Sequence, residues 1–184
     1  MKKITFFLTL PLLCAASNIS AAADKYQYTP YIGIDYAYNQ TNAKGFSPRY
    51  NALGLHIGSD YSADFGTEIF YNQSAADKRR PNNEKIKTSY RSYGLDLLAY
   101  LPLGCQKQLA LLATTGMGEY VFNHKKVPQK HHNEHGYGYR FGGGFKYALN
   151  QNWQMRFITR YVKFNHADAF NHATEYTLSA EYHF

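Results

Sequence analysis

Residues 173–184 read ATEYTLSAEYHF. In an extended chain Thr174, Tyr176, Leu178, Ala180, Tyr182 and Phe184 share one side, and Glu175, Thr177, Ser179, Glu181 and His183 share the other. Apolar against polar at every second residue marks a strand, because successive side chains leave opposite faces of the backbone. A soluble sheet turns such a face onto a protein core, as in the edge strand of a secreted sandwich. The other end of the chain names a different apolar medium. Lys2 and Lys3 precede an apolar run from Ile4 to Ala16 and small residues ending in Ala21, Ala22 and Ala23, the layout of an export signal. In an exported chain the alternation reads as lipid-facing against lumen-facing.

Cleavage after Ala23 is expected, so that residues 1–23 are a signal peptide and 24–184 a single barrel domain. Lipidation at Cys14 is the rival, but Leu13 stands where a lipoprotein signal needs a small residue. Loss of Lys2 and Lys3 lowers the net charge from +7 to +5, so where the charge sits matters more than its size. Cys105 alone remains after cleavage, which leaves no disulfide framework and no cysteine metal site. Beyond the signal no apolar run is long enough for a membrane helix. The 18 Tyr, 12 Phe and 1 Trp suit the aromatic girdles of a barrel instead.

Working back from the closing strand, the same alternation recurs seven times. Strands are expected at about 26–38, 50–60, 65–73, 90–101, 109–122, 137–149 and 153–164. Ile32, Ile34 and Tyr36 alternate with Gly33 and Asp35. Leu53, Leu55 and Ile57 alternate with Gly54, His56 and Gly58, and Tyr137, Tyr139 and Phe141 with Gly138, Arg140 and Gly142. The connections run alternately long and short. The expected fold is all-β: an eight-stranded antiparallel up-and-down transmembrane barrel, with three short turns on the periplasmic side and four longer segments outside. The segments 74–88 and 123–136 are read as loops. In 109–122 the alternation is weak, and Glu119 is placed inward because a charge in lipid is costly.

The inward positions collect Asp35, Glu68, Asp96, Glu119, Glu175 and Glu181 with Arg140, Lys146, Arg156 and Arg160. Lone charges in a narrow lumen are expensive, so the near balance of sign predicts a paired polar core and not a wide pore. The second and third outer segments carry Lys78, Arg79, Arg80, Lys85 and Lys87, then Lys125, Lys126 and Lys130. They are candidate contacts for lipopolysaccharide phosphates, anionic host glycans or host surface proteins, by attraction that salt weakens. His124, His131, His132 and His135 crowd the third segment, but with Glu134 as the one carboxylate beside them and no cysteine, no metal site is expected. No cofactor and no nucleic-acid partner are implied.

The segment 43–49, AKGFSPR, with the eight-strand pattern and the terminal Phe184, resembles the opacity-type small barrels of bacterial outer membranes. Barrels of the outer membrane protein A and X types are similar in architecture alone. The resemblance implies a surface antigen whose outer loops meet host or envelope molecules. It also implies that Tyr176, Leu178, Tyr182 and Phe184 form the signal read by the barrel-assembly machinery. Enzymatic barrels of the lipid A deacylase type carry a His, a Ser two residues on, and a Glu. No His here is followed by Ser at that spacing, so the expectation is a non-enzymatic surface barrel for adhesion or interaction. The alternatives are a structural envelope barrel that binds lipopolysaccharide, and a lipid A modifying enzyme.

Overall fold

The computed structural model describes residues 28–43, 48–75, 77–79, 86–104, 108–126, 132–165 and 170–184. The expected signal peptide and the start of the first expected strand lie outside them. Nine strands form one antiparallel sheet: β1 (Thr29–Ala43), β2 (Arg49–Asp60), β3 (Phe65–Ser74), β4 (Asp77–Arg79), β5 (Ile86–Leu103), β6 (Leu109–Lys126), β7 (His132–Ala148), β8 (Trp153–Asn165) and β9 (Phe170–His183). β1 pairs with β2 and β2 with β3, β3 and β4 both pair with β5, each strand from β5 to β9 pairs with the next, and β1 also pairs with β9, so the sheet closes on itself. β4 continues β3. β3 lies against β5 as far as the pair Gln73↔Arg91, and β4 lies against it from Asp77↔Thr88. The barrel thus has eight staves, as the alternation predicts.

Burial inverts the soluble pattern. Leu53 is 71% exposed and Ile69 65%, whereas Arg140 is 2% and Arg156 1% exposed. Only an apolar surrounding makes that arrangement favourable, because it is apolar surface that an aqueous medium would penalise. On β7 the outward aromatics run from Tyr147 to Tyr137. The ten residue steps between them span about 33 Å along the strand, which at a tilt near 40° spans roughly the 25 Å apolar band of an outer membrane.

Two of the expected loops are partly strand. Asp77–Arg79 and Ile86–Thr88 pair within the segment read as 74–88, and β6 and β7 run on to Lys126 and back from His132 within 123–136. Once a strand leaves the lipid both faces meet water, so pairing continues while the alternation that announces it stops. The short turns at the opposite end are tight. Asn150 Oδ1 accepts from the backbone N–H groups of Asn152 and Trp153 at 2.9 and 2.8 Å, and Gly104 turns with φ +73°, a conformation open to glycine.

Inside, the lumen is filled in layers. Toward the outer end Tyr50, Tyr90, Tyr120, Phe122 and Phe164 pack with small residues such as Ala37 and Ala52. Toward the periplasmic end Tyr31, Leu98, Tyr100, Leu112 and Ile158 form a second apolar layer. The buried arginines and their carboxylates lie between these layers.

Candidate functional site

The charged layer is built by strands that each contribute one or two inward positions. Arg156 on β8 reaches Glu68 on β3 at 2.7 Å and Glu181 on β9 at 2.6 Å. Arg160, four residues further along β8, touches Glu68, Asp96 and Glu175 at 3.3, 3.3 and 3.4 Å. Arg140 on β7 binds Asp96 at 3.2 Å and Glu175 at 2.9 Å, with its guanidinium 3.7 Å over the ring of Phe70. Shared carboxylates join the three arginines into one network, the arrangement that offsets the cost of desolvating each charge.

The spacing of the carboxylates across strands depends on glycine at one point. A Cβ at Gly116 would stand 2.1 Å from Asp96 Oδ1 and 2.3 Å from the Leu95 carbonyl, so only glycine lets Asp96 lie flat against β6. Asp35 meets the arginine network through His56, whose Nδ1 lies 3.0 Å from Asp35 and whose Nε2 lies 3.2 Å from Glu181. The Ser179 hydroxyl also donates to Asp35. The sequence reading turned His56 inward but left it out of the network. Asp60, at the end of β2, was also missed, and it pairs with Lys146 at 2.8 Å. That ammonium lies 4.0 Å over the Tyr100 ring, apart from the arginine cluster and near the periplasmic mouth. Neither residue's role is visible in alternation alone, because alternation gives facing and not partners.

Glu119 corrects the reading. It faces outward, not inward, sharing the face of Met117 and pairing in register with Tyr93 and Tyr137. Its carboxylate accepts from the Tyr93 hydroxyl at 2.5 Å and lies 2.9 Å from His135 Nδ1. The argument from lipid cost fails because Glu119 stands at the outer rim of the apolar band, level with Tyr93 and Tyr137, where a charge costs little.

Tyr176, Leu178 and Tyr182 face outward on β9 and Phe184 is exposed just beyond its end, with Tyr182 packed edge-on against both Trp153 and Phe184. Among the loop candidates, Arg80, Lys85 and Lys130 lie outside the described residues. For the others the backbone register is informative. Lys78 pairs with Lys87 and Lys87 with Lys125, three lysines at one level on three adjacent strands, with Arg79, Ile86 and Lys126 forming the next level. His124 and His132 are also register partners, while His131 lies outside the described residues. His56, Glu68 and Glu181 bring three ligand-type atoms within 4.8 Å of one another. The guanidinium of Arg156 already contacts both carboxylates and lies 3.3 Å from His56 Nε2, so a cation is in place there.

The family model for the outer membrane protein beta-barrel domain matches residues 7–184. The chain belongs to that family. That family places it in the outer membrane, and the inverted burial agrees with an apolar surrounding. Among solved structures it is similar to Neisserial surface protein A, at 13% identity and TM-score 0.68, covering 85% of this chain and 97% of that one. Ail, the attachment invasion locus protein of Yersinia pestis, matches at 15% identity and TM-score 0.62, covering 86% and 99%. OprG of Pseudomonas aeruginosa matches at 13% and 0.56, covering 85% and 95%. Ail has also been solved in complex with the heparin analogue sucrose octasulfate. No curated protein matches this outer-membrane barrel in sequence. The resemblance to opacity-type small barrels is thereby carried by fold as well as by residues.

Proposed function

We propose that this outer-membrane barrel is a non-enzymatic surface protein whose basic outer extensions bind anionic glycans of a host or of the envelope. The observation that carries the reading is the lysine level formed by Lys78, Lys87 and Lys125 on β4, β5 and β6. Like charges directly opposite one another on neighbouring strands destabilise a sheet. A polyanion laid across the three strands relieves that repulsion, and release of its counterions adds to the affinity. The complex of Ail with a sulfated sugar supports the same class of ligand.

The test is binding of the refolded barrel in nanodiscs to immobilised heparin at low and at physiological salt. The double variant K87Q/K125Q should weaken binding by about tenfold or more, equivalent to about 1.4 kcal/mol, and wild-type binding should fall as salt rises. Equal, salt-independent binding by both proteins would remove the glycan reading. A structural envelope role would then stand first.

A further inference from the structure

We propose that the outer wall formed by β2, β1, β9 and β8 holds one molecule of lipid A, with an acyl chain in an apolar groove and a phosphate at Arg49. The proposal stands whether or not the outer extensions bind glycan, because it uses a different part of the barrel.

The groove lies at mid-height on the lipid-facing side and has a volume of about 540 Å³. It runs along two levels of the sheet. The lower carries Leu55, Ile34, Ala180 and Met155, and the upper Leu53, Tyr36 and Leu178. Ala180 is the small residue that leaves the depression, with larger side chains on every side. A volume of this size falls in the range of ligand pockets, roughly 300–1,000 Å³. Its position in the bilayer restricts the occupant to a hydrocarbon chain or a neighbouring protein wall.

What stands above the groove chooses between them. Arg49 is exposed on the outward face of β2, four residues beyond Leu53 and so about 13 Å further along the strand toward the outer surface. It pairs in register with Gln40, which pairs with Thr174, which pairs with Tyr161. The level beyond holds Asn42, His172 and Lys163, with the His172 ring stacked on Tyr161 at 5.4 Å. Among the described residues of these two outer levels there are cationic and neutral hydrogen-bonding groups and no carboxylate.

An apolar slot capped by a guanidinium, an amide and a lysine is complementary to an outer-leaflet lipid with acyl tails and a phosphorylated sugar head. A second barrel of the same sequence would set Arg49 and Lys163 against like charges. The β6 wall differs: there the carboxylate of Glu119 sits at the outer aromatic level beside Arg91 and His135.

The experiment is native mass spectrometry of the refolded chain titrated with bis-phosphorylated lipid A, dephosphorylated lipid A and phosphatidylglycerol. The expected result is one lipid A per barrel, bound more tightly than either comparison lipid. Ala180→Phe fills the groove and should weaken lipid A binding by about tenfold, Arg49→Gln should erase the preference for the phosphorylated form, and Thr115→Phe on the opposite wall should change neither. Heat-dependent gel migration checks that each variant is folded. If Ala180→Phe does not fold, Arg49→Gln decides alone, and unchanged selectivity in that variant overturns the proposal. Equal binding of phosphatidylglycerol, or a complex of two barrels in place of barrel and lipid, also overturns it.

Discussion

Arg156 shows what a charge must have around it to be kept inside this barrel. It is 1% exposed and holds Glu68 and Glu181 at once. Removing one partner of such a buried set leaves the other charges uncompensated, at a cost of about 3–5 kcal/mol. Arg156→Met should therefore lower the unfolding free energy in detergent, measured by urea titration, by about that amount. The triple change with Glu68→Gln and Glu181→Gln should recover part of it, because no lone ion then remains. A loss under 1 kcal/mol in the single variant would show that water reaches the network. At this scale the sequence is legible where a charge falls on an inward position, as for Arg140, Arg156, Arg160 and Glu175. His56 and Asp60 show the limit. Their facing follows from the pleat, but facing does not name their partners, which lie on β1 and β9 for His56 and on β7 for Asp60.

Within single elements, β6 is where alternation says least. Ala113, Thr115 and Met117 face lipid, while Leu112, Thr114 and Gly116 face the lumen. The two sides hardly differ in polarity, so Glu119, the one charge within 109–122, carries more weight in a reading by facing than it can bear. Glu119 lies at the outer aromatic level, and height along a strand is a property that a facing argument does not contain. The structure makes the heights testable. Thr115→Arg, in the middle of the band, should destabilise the folded barrel by about 2–4 kcal/mol, and Glu119→Arg by about 0–1, because the cost of a lipid-facing cation depends on depth. Equal losses in the two variants, measured by reversible denaturation in lipid vesicles, would place Glu119 inside the apolar band. The paired extensions of β5, β6 and β7 were hidden for a related reason. Above the membrane both faces of a strand are wet, and polar residues on both faces look like a loop until their register is known.

For the whole molecule, eight staves enclose a lumen only just wide enough for side chains. Here two apolar layers and the arginine network occupy it. The space among Asn39, Thr41, Tyr90, Tyr120, Phe122 and Phe164 has no volume left for a water molecule. Refolded protein in planar bilayers should accordingly show no steady porin-like conductance. Sustained open channels in the wild-type protein would mean that the aromatic layer parts in the membrane. Fold class, strand number and the sense of the long and short connections are all legible in the chain, because the lipid imposes them on every stave alike.

The seam between β1 and β9 joins Tyr31 to His183, Ile32 to Tyr182 and so on up to Ala43 and Phe170. These partners lie at opposite ends of the described chain, so closing the ring is the least local event in its folding, and such contacts are slow to form. Until β9 arrives, β1 has one unpaired edge in a medium that offers its amide groups nothing to bond. The seam is therefore a checkpoint in time as well as a join in space. A chain stalled before β9 is left as an open ribbon with unpaired strand edges, whereas a finished one withdraws its last free edge as the seam closes.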